Sequence, residues 1–479
     1  MIPEGQSEAA GVLAALADAP VVETHISAVF LAGDRAFKLK KAVDLGFLDF
    51  TALTERERLL RRELELNAPH APGLYRAVHP LTRGEDGALR LGGAGAPVEW
   101  VLEMARLPAG AVLDAAEALP PAMLDAMADA AAAMHQAIAP VAGDGDLAPV
   151  IAQCETAALE TGLPPARVAA WVAGARARLT PALRERAAAG AIRRCHGDLH
   201  LGNLCLWEGR PTPFDALEFD ERLATIDVGY DLAFLLMDVE RLHGRPAANR
   251  LLNRYVARTG DAGLVGGLPL WLSLRAVIRA HVEARRGRPW DALLAMAEAY
   301  LAPAPPRLIA IGGLPGTGKS TLARALAPDL GPAPGALVLR SDEIRKRRHG
   351  VAPEVRLPPD AYTPEASAGV FAELAAMARA AVAAGHAAIA DAVFLRPGER
   401  ARIAAAGSPF DGLWLEAPLD LLRRRVASRT GDASDADIAV LEGAAARDAG
   451  DVTWTRLPAD GEAEARARVL LDLPPSART

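Results

Sequence analysis

The spacing of hydrophobic and polar positions changes once along the chain, near residue 302. Before that point, apolar runs on either side of the turn Gly33-Asp34 predict a β-hairpin over 28–43, and 99–107 predicts another strand. The charged segment 54–67 and most of the chain after about residue 115 have helical spacing. Strands first and helices later favour an α+β domain with a sheet-rich small lobe and a helical large lobe.

The C-terminal part alternates instead. Its short apolar runs are separated by helical stretches: LIAIGG (308–313), ALVLRSD (336–342), AAIADAV (387–393) and GLWLEAP (412–418). Such alternation is typical of an α/β domain with a parallel sheet. An Ala/Pro segment at about 302–306 reads as a linker, so we expect one domain over 1–302 and a second over 306–479.

Composition narrows the class of protein. The chain has 479 residues, of which 51% are hydrophobic and 24% charged, as in globular proteins. Three cysteines without metal-ligand spacing, no charged leader and no apolar run of about 18 residues predict a cytoplasmic protein that does not span a membrane. The net charge of −7 comes from the part before residue 305, and neither part is basic, which argues against nucleic acid as a partner.

The segment HGDLHLGN (196–203) concentrates groups suited to phosphoryl transfer. Asp198 can orient or deprotonate a hydroxyl group, and Asn203, five residues later, can bind a metal ion. This is the H-x-D-x-x-x-x-N spacing of a kinase catalytic loop. Asp215 follows within TPFDALEF (212–219), which we expect to be a short strand that supplies a second metal ligand.

The predicted hairpin supplies a cation. Lys38 shares a strand face with Ala36 and can reach the phosphates of a nucleotide, and Glu63 on the next helix can pair with it. Lys40 lies on the same face as Lys38, and Glu65 competes with Glu63, so both choices stay open at the sequence level. Only five of the 53 basic residues are lysines, and three of the five lie in this segment.

Taken together, these residues resemble the aminoglycoside phosphotransferase and choline kinase group, whose fold is related to protein kinases, over roughly residues 20–300. The resemblance implies Asp198 as catalytic base, Asn203 and Asp215 as Mg²⁺ ligands, and Lys38 on ATP. It also implies a structural role for Asp231. The hairpin has one glycine where kinases have G-x-G-x-x-G. We expect His196 to be structural and leave His200 open.

A second phosphate-binding motif follows the linker. GLPGTGKS (313–320) matches G-x-x-x-x-G-K-[ST], follows a predicted strand and opens a helix. Its backbone N–H groups and lysine cradle phosphates, and its serine hydroxyl binds Mg²⁺. The residues predicted to bind the nucleotide here are Gly313, Gly316, Gly318, Lys319, Ser320 and Thr321.

Other polar residues end the neighbouring strands. Asp342 is placed to face a substrate hydroxyl, and Asp391 is a candidate for contact with the metal ion through water. Arg425 and Arg429 share a face in 419–437 at i, i+4 and could stabilise transition-state charge from a lid, or could be solvated helix charges. This part resembles small P-loop kinases of the gluconate kinase, zeta toxin and polynucleotide kinase type, over about 306–470, which are also classed with AAA-family ATPases.

The sequence therefore predicts a kinase with two sites for ATP and Mg²⁺, each acting on a small hydroxylated metabolite. The order of the two predicted domains resembles a group of bacterial proteins in which a phosphotransferase domain is followed by a P-loop kinase. Two alternatives stay open: a regulatory protein in which one domain senses nucleotide and controls the other, and a C-terminal kinase of nucleic-acid ends. Substrates and oligomeric state do not follow from the sequence.

Overall fold

A computed structural model describes residues 1–46, 48–428 and 432–476. The chain divides into two compact units by the contacts among its residues. The first unit comprises Met1–Glu117, Ala137–Val141 and Arg193–Ile226. The second comprises Ala118–Gln136, Ala142–Ile192 and Asp227–Thr479.

The first unit is built on an antiparallel six-stranded sheet with the order β1-β2-β3-β6-β4-β5. The strands are β1 (Val22–Glu23), β2 (Ser27–Ala32), β3 (Arg35–Lys40), β4 (Tyr75–Arg83), β5 (Leu89–Leu91) and β6 (Pro97–Ala105). Helices α1 (Ser7–Leu16) and α2 (Leu53–Asn67) accompany it. The predicted hairpin at Gly33-Asp34 and the helix after it are confirmed.

Alternation along the strands separates two layers of the first unit. Phe37 and Leu39 of β3 pack with α1 in one buried cluster. Ala36 of the same strand packs with Leu60 of α2 in another. Since Lys38 and Lys40 share the face of Ala36, the sheet directs both lysines toward α2.

Helices follow the sheet along the chain, as predicted. They are α3 (Pro121–Ala137), α4 (Ala148–Glu160), α5 (Pro165–Ala177), α6 (Pro181–Ala188), α7 (Glu221–Ala224), α8 (Val228–His243), α9 (Arg245–Thr259), α10 (Leu268–Arg285) and α11 (Asp291–Leu301). One of them, the short helix α7, belongs to the first unit. Asp231 of α8 is fully buried and accepts a hydrogen bond from His135 at 3.0 Å, in keeping with the structural role implied for it.

Short strands interrupt the helices between residues 192 and 227: β7 (Ile192–Arg194), β8 (Leu204–Trp207), β9 (Arg210–Pro213) and β10 (Thr225–Asp227). They form the pairs β7–β10 and β8–β9. The expectation of a strand through 212–219 is wrong, because β9 ends at Pro213. Asp215 instead lies in an irregular segment with a φ of 60°, a conformation in which a strand cannot continue.

The C-terminal part contains a parallel five-stranded sheet with the order β12-β13-β11-β14-β15. Its strands are β11 (Arg307–Gly313), β12 (Leu337–Arg340), β13 (Ala387–Asp391), β14 (Phe410–Glu416) and β15 (Thr455–Pro458). The intervening helices are α12 (Lys319–Leu326), α13 (Ser341–Arg348), α14 (Pro364–Ala383), α15 (Pro397–Ala404), α16 (Leu419–Ala427), α17 (Ile438–Ala445) and α18 (Ala463–Leu470). Four of the strands were predicted, and β15 was missed.

Strand β12 lies at the edge of this sheet and contacts α9, which precedes the predicted linker. The Asn253 Oδ1 atom accepts a hydrogen bond from Val338 N at 2.6 Å, and its Nδ2 atom donates to Ala336 O at 3.2 Å. Asn249 donates to the same carbonyl at 3.1 Å. Two amide side chains thus satisfy backbone groups that an edge strand leaves open.

The second compact unit accordingly contains both helices before the linker and the parallel sheet after it. Helix α11 ends at Leu301 and β11 begins at Arg307, on either side of the predicted linker. The division into domains at residue 302 stays a prediction, because the compact units divide the chain elsewhere.

Helix α14 is long and apolar enough to cross a membrane by length and composition, the one such helix among the described residues. Within the protein it contacts β13 and buries Val370, Leu374 and Ala378. A core helix of a folded domain passes the same test.

Candidate active sites

The first candidate site begins where β3 faces α2. Lys38 Nζ donates to the Oε1 atom of Glu63 at 2.7 Å, and Glu63 is fully buried. Glu65 points outward and pairs with Arg62 at 2.9 Å, its side chain 69% exposed. The helical periodicity of α2 therefore selects Glu63, not Glu65, as the partner of the strand.

Lys38 also reaches the segment after β9. Its Nζ atom lies 2.6 Å from Asp215 Oδ1, and the Asp215 side chain is 42% exposed. The backbone N–H of Asp215 donates to the Tyr75 hydroxyl at 2.9 Å, and that of Ala216 donates to Asn67 Oδ1 at 3.0 Å. These two bonds fix the irregular backbone that presents Asp215. Sequence reasoning missed both partners, since neither belongs to a motif.

Lys40 has other partners. Its Nζ atom lies 3.1 Å from Glu63 Oε2 and 2.5 Å from Glu218 Oε1, and the residue is 1% exposed. The lysine that borders Asp215 is therefore Lys38, which favours Lys38 over Lys40 as the lysine that can reach a nucleotide.

The opposite charges in this cluster shift the pKa values of its members. Burial opposes the charge of Lys38, but attraction to Asp215 and Glu63 outweighs it and raises the pKa of Lys38 well above its usual value. Burial would raise the pKa of Asp215, but the charge of Lys38 lowers it overall. Burial raises the pKa of Glu63, with Lys38 and Lys40 opposing. Asp215 is therefore ionised at neutral pH, which is the state in which a carboxylate binds a cation.

The catalytic-loop segment folds around Asp198. The Asn203 Nδ2 group donates to Asp198 Oδ2 and to the Asp198 carbonyl, both at 2.9 Å. His196 Nε2 lies 3.0 Å from the carbonyl oxygen of Phe214, and His196 Nδ1 accepts from Asp198 N at 3.3 Å. His196 thus ties this loop to the segment that precedes Asp215, a structural role.

His200 lies beside the predicted base. Its Nδ1 atom accepts a hydrogen bond from Gly202 N at 2.9 Å, and its Nε2 atom lies 3.5 Å from Asp198 Oδ2. The motif spacing gave His200 no role, so this proximity is a finding of the structure.

The turn at the lysine end of the hairpin is not the one that contains Gly33. In the register of β2 and β3, Lys40 is opposite Ser27 and Lys38 is opposite Val29, so Gly33 lies at the far end. The near end is the turn 24–27, closed by a hydrogen bond from Thr24 N to Ser27 O at 2.9 Å. The turn 24–27, rather than the Gly33 turn, therefore lies at the Lys40 end of the two strands.

The second candidate site lies in a cavity of about 1450 Å³ in the C-terminal part, lined by Gly316, Gly318, Lys319, Ser320 and Thr321 among others. Gly313, Gly316 and Gly318 have φ angles of 133°, 84° and 87°, which favour glycine. Lys319 Nζ donates to the carbonyl oxygens of Gly313 and Leu314 at 2.9 and 3.0 Å. The loop therefore curls around its own lysine.

Ser320 and Asp391 meet across neighbouring elements. Ser320 Oγ donates to Asp391 Oδ2 at 2.5 Å, because β13 ends beside the start of α12. The buried Arg340 contacts the same carboxylate oxygen at 3.3 Å and also pairs with Glu343 at 2.9 Å and Asp432 at 2.8 Å. Arg340 was not predicted, because nothing in its local sequence marks it among so many arginines.

Asp342 lines the same cavity at the start of α13. Burial raises the pKa of Asp342, although the nearby Arg340 opposes the shift. A carboxyl group with a raised pKa in a cavity is suited to exchanging a proton with a hydroxyl group.

Arg425 of α16 lies over the glycine-rich loop. It donates to the carbonyl oxygen of Gly316 at 3.4 Å and to that of Ala459 at 3.1 Å. The structure thus brings Arg425 to the phosphate-binding loop, whereas Arg429 lies outside the described residues.

Two sequence profiles match successive parts of the chain. The Phosphotransferase enzyme family matches residues 88–275, and the AAA domain matches residues 308–448. An uncharacterized protein of Mycobacterium tuberculosis strain H37Rv, Rv2004c, is 32% identical over 486 residues, covering 93% of each chain. The chain belongs to the family of this protein. The predicted kinase, with a phosphotransferase domain followed by a P-loop domain, is confirmed.

Solved structures are similar to parts of the chain. A choline/ethanolamine kinase family protein of Mesorhizobium loti covers 62% of this chain and 92% of its own, with 16% identity and a TM-score of 0.38. A sugar kinase of Janibacter sp. covers 36% of this chain and 99% of its own, with 22% identity and a TM-score of 0.29.

Proposed function

We propose that this kinase has two ATP sites, and that each site transfers the γ-phosphoryl group of ATP to a hydroxyl group of a small metabolite. The observation that carries the proposal is the placement of Lys38 between Glu63 and Asp215. In phosphoryl transfer a cation must reach the phosphates while a carboxylate holds the metal ion, and these three residues supply both. The glycine-rich loop with Lys319 supports the second site.

The first site fits Mg²⁺. Asp215 offers a half-exposed carboxylate with a lowered pKa. Asn203 donates its amide N–H groups to Asp198, which leaves the amide oxygen as the atom that can bind a cation. Carboxylate and amide oxygens are ligands that Mg²⁺ accepts, so Asn203 and Asp215 would hold it. The ion would supply charge neutralisation for the transferring phosphoryl group.

The remaining residues of this site have distinct roles. Lys38 exchanges its contact with Asp215 for the nucleotide phosphates and keeps its contact with Glu63. Asp198 orients the acceptor hydroxyl and accepts its proton, and Asn203 holds the Asp198 carboxylate in place through the bond at 2.9 Å.

The second site fits the same ion with other groups. Ser320 and Asp391 share a hydrogen bond, so both oxygens are already directed to one point where a cation would be held. Lys319 leaves the loop carbonyls for the phosphates, and Arg425 stabilises charge that develops during transfer. Asp342, whose pKa burial raises, accepts the proton of the hydroxyl group.

The proposal is tested with the full chain, because helices before the linker share a compact unit with the parallel sheet. Wild type, Asp198→Asn and Lys319→Ala are each incubated with γ-labelled ATP, Mg²⁺ and a library of hydroxylated metabolites. A 5′-hydroxyl oligonucleotide is included. We expect one class of acceptor to lose its label only with Asp198→Asn and another only with Lys319→Ala.

Other outcomes favour other functions. Nucleotide binding without transfer to any acceptor would favour a regulatory protein that senses nucleotide. Label on the oligonucleotide alone, lost with Lys319→Ala, would favour an end kinase of nucleic acids.

A further inference from the structure

The carboxylate of Glu63 is shared by two lysines. Its Oε1 atom accepts from Lys38 at 2.7 Å and its Oε2 atom lies 3.1 Å from Lys40, which in turn lies 2.5 Å from Glu218. Glu63, Lys40 and Glu218 are 0%, 1% and 6% exposed. A buried chain of charges of this kind is costly to desolvate and persists only where each member is paired.

Glu63, Lys40 and Glu218 lie on three different parts of the chain and connect them. Glu63 belongs to α2, Lys40 to β3, and Glu218 lies three residues after Asp215. Lys38 and Lys40 therefore make two parallel links from β3, one to Asp215 and one to Glu218, with Glu63 common to both.

The link from Lys38 to Asp215 and the link from Lys40 to Glu218 differ in whether they persist during the reaction. In the proposed reaction, on which this inference rests, Lys38 turns to the phosphates and Asp215 to the metal ion, so their direct contact is given up. In that reaction the chain from Glu63 through Lys40 to Glu218 binds neither phosphate nor metal ion, and it persists. Lys40 also keeps a positive charge beside the buried carboxylate of Glu63 while Lys38 moves.

The charges agree with this geometry. Burial opposes the charge of Lys40, but attraction to Glu218 and Glu63 outweighs it and raises the pKa of Lys40. Lys40 thus stays charged, and its Nζ atom is committed to Glu63 and Glu218 within the buried cluster. The Tyr75 and Asn67 side chains hold the backbone at residues 215 and 216, and Lys40 adds a hold on residue 218.

We propose that Lys40 and Glu218 are positioning residues, which hold the segment bearing Asp215 in register with α2 so that Lys38 and Asp215 can act together on Mg²⁺ and nucleotide. Neither residue touches the reacting atoms. Loss of either residue should reduce the strengthening of nucleotide binding by Mg²⁺ and should reduce turnover at saturating ATP.

The test uses the full chain carrying Lys319→Ala, so that the first site is observed alone. The probe is a fluorescent ATP analogue, titrated with Mg²⁺ and with EDTA, and turnover is measured with an acceptor from the metabolite library. The variants are Lys40→Met, Glu218→Gln, and the double variant Lys40→Met/Glu218→Met. The control is Arg468→Met, which removes a buried arginine that pairs with Glu464 at 2.9 Å in the second compact unit.

We expect each variant of the pair to reduce the strengthening of binding by Mg²⁺ at least tenfold, while affinity in EDTA changes less than threefold. The double variant should lose no more than Lys40→Met, because that single change already removes the link to Glu218. Apolar replacement of both partners should leave the unfolding temperature close to that of wild type. The control should keep the effect of Mg²⁺, and Lys40→Arg should restore part of it.

Three results would overturn the proposal: an unchanged effect of Mg²⁺, a loss confined to affinity in EDTA, which would make Lys40 a nucleotide ligand, or an equal loss in the control. Failure of the proposed function is a separate result. In that case no acceptor is phosphorylated in the parent variant, although Mg²⁺ still strengthens binding and Lys40 still controls by how much.

Discussion

The Nζ atom of Lys38 lies 2.6 Å from Asp215 Oδ1, although 177 residues separate the two along the chain. The contact joins a strand of the small sheet to the segment after the catalytic loop. It favours Lys38 over Lys40 as the lysine of the first candidate site, and it places the ammonium group beside the carboxylate that we propose as a metal ligand.

Replacement of Asp198 by Asn should lower turnover at the first site far more than nucleotide affinity. The shape and the bond to Asn203 can persist, but the negative charge that accepts the proton is lost. We expect a fall in turnover of about 10²–10⁴-fold and a change in ATP affinity below about threefold. The measurement is steady-state transfer to an acceptor from the library, with Asp220→Asn, at a helix N-cap of the same unit, as control. Equal losses of turnover and affinity would indicate a structural role for Asp198.

Much of both sites could be predicted because their motifs are local. The spacing from Asp198 to Asn203 and the loop from Gly313 to Ser320 are contiguous stretches whose chemistry does not depend on distant residues. The alternation that places Lys38 on the strand face of Ala36 is also local, whereas the choice between Glu63 and Glu65 was made only by the contact of Lys38 with Glu63 in the structure.

The remainder depends on tertiary contacts. Lys38 and Lys40 have the same local pattern, and their partners Asp215 and Glu218, which distinguish them, lie far along the chain. The apolar segment TPFDALEF predicts a strand at Asp215, whereas the backbone there has a positive φ and donates hydrogen bonds to Tyr75 and Asn67. Arg340 becomes distinctive only when the sheet brings Asp391 beside it.

Replacement of Lys319 by Ala should weaken nucleotide binding at the second site and leave the first site intact. The ammonium group supplies charge-assisted hydrogen bonds to the phosphates, worth about 1.5–3 kcal/mol, or about 10- to 100-fold in affinity. Arg324→Ala, one turn further along α12 and half exposed, is the matched control. If Lys319→Ala left ATP affinity and transfer by the second site at wild-type levels, the assignment of the loop would be wrong.

Replacement of Asn253 by Ala should destabilise the second compact unit. Val338 N loses its partner at the sheet edge, whereas Ala336 O keeps the hydrogen bond from Asn249, and an unsatisfied backbone group costs about 1–3 kcal/mol. Urea unfolding should show a lower midpoint and a free energy of unfolding reduced by this amount. Leu242→Ala, at an exposed leucine of α8, should change the free energy of unfolding by less than about 0.5 kcal/mol. An unchanged midpoint would mean that water replaces the amide without cost.

Acid should destabilise the protein in part through His386, which is 1% exposed and whose pKa burial lowers to about 4 from 6.5. As the pH falls below about 6.5, the unfolded chain binds the proton first, so stability falls until about pH 4, where the folded protein binds it too. This histidine alone should contribute about 3 kcal/mol over that window. His386→Gln should flatten the pH dependence of unfolding, measured by urea titration from pH 7 to 4. The exposed His349→Gln is the control, and equal slopes for wild type and His386→Gln would contradict the assignment.

Calorimetric titration of ATP with Mg²⁺ into wild type, Asp215→Ala and Lys319→Ala measures whether one chain carries two separate ATP sites. Asp215→Ala removes a metal ligand of the first site, and Lys319→Ala removes the phosphate-binding lysine of the second. We predict two sites in wild type and one in each variant, with both variants folded by circular dichroism. One site in wild type, or loss of both sites in a folded single variant, would rule out two separate ATP sites.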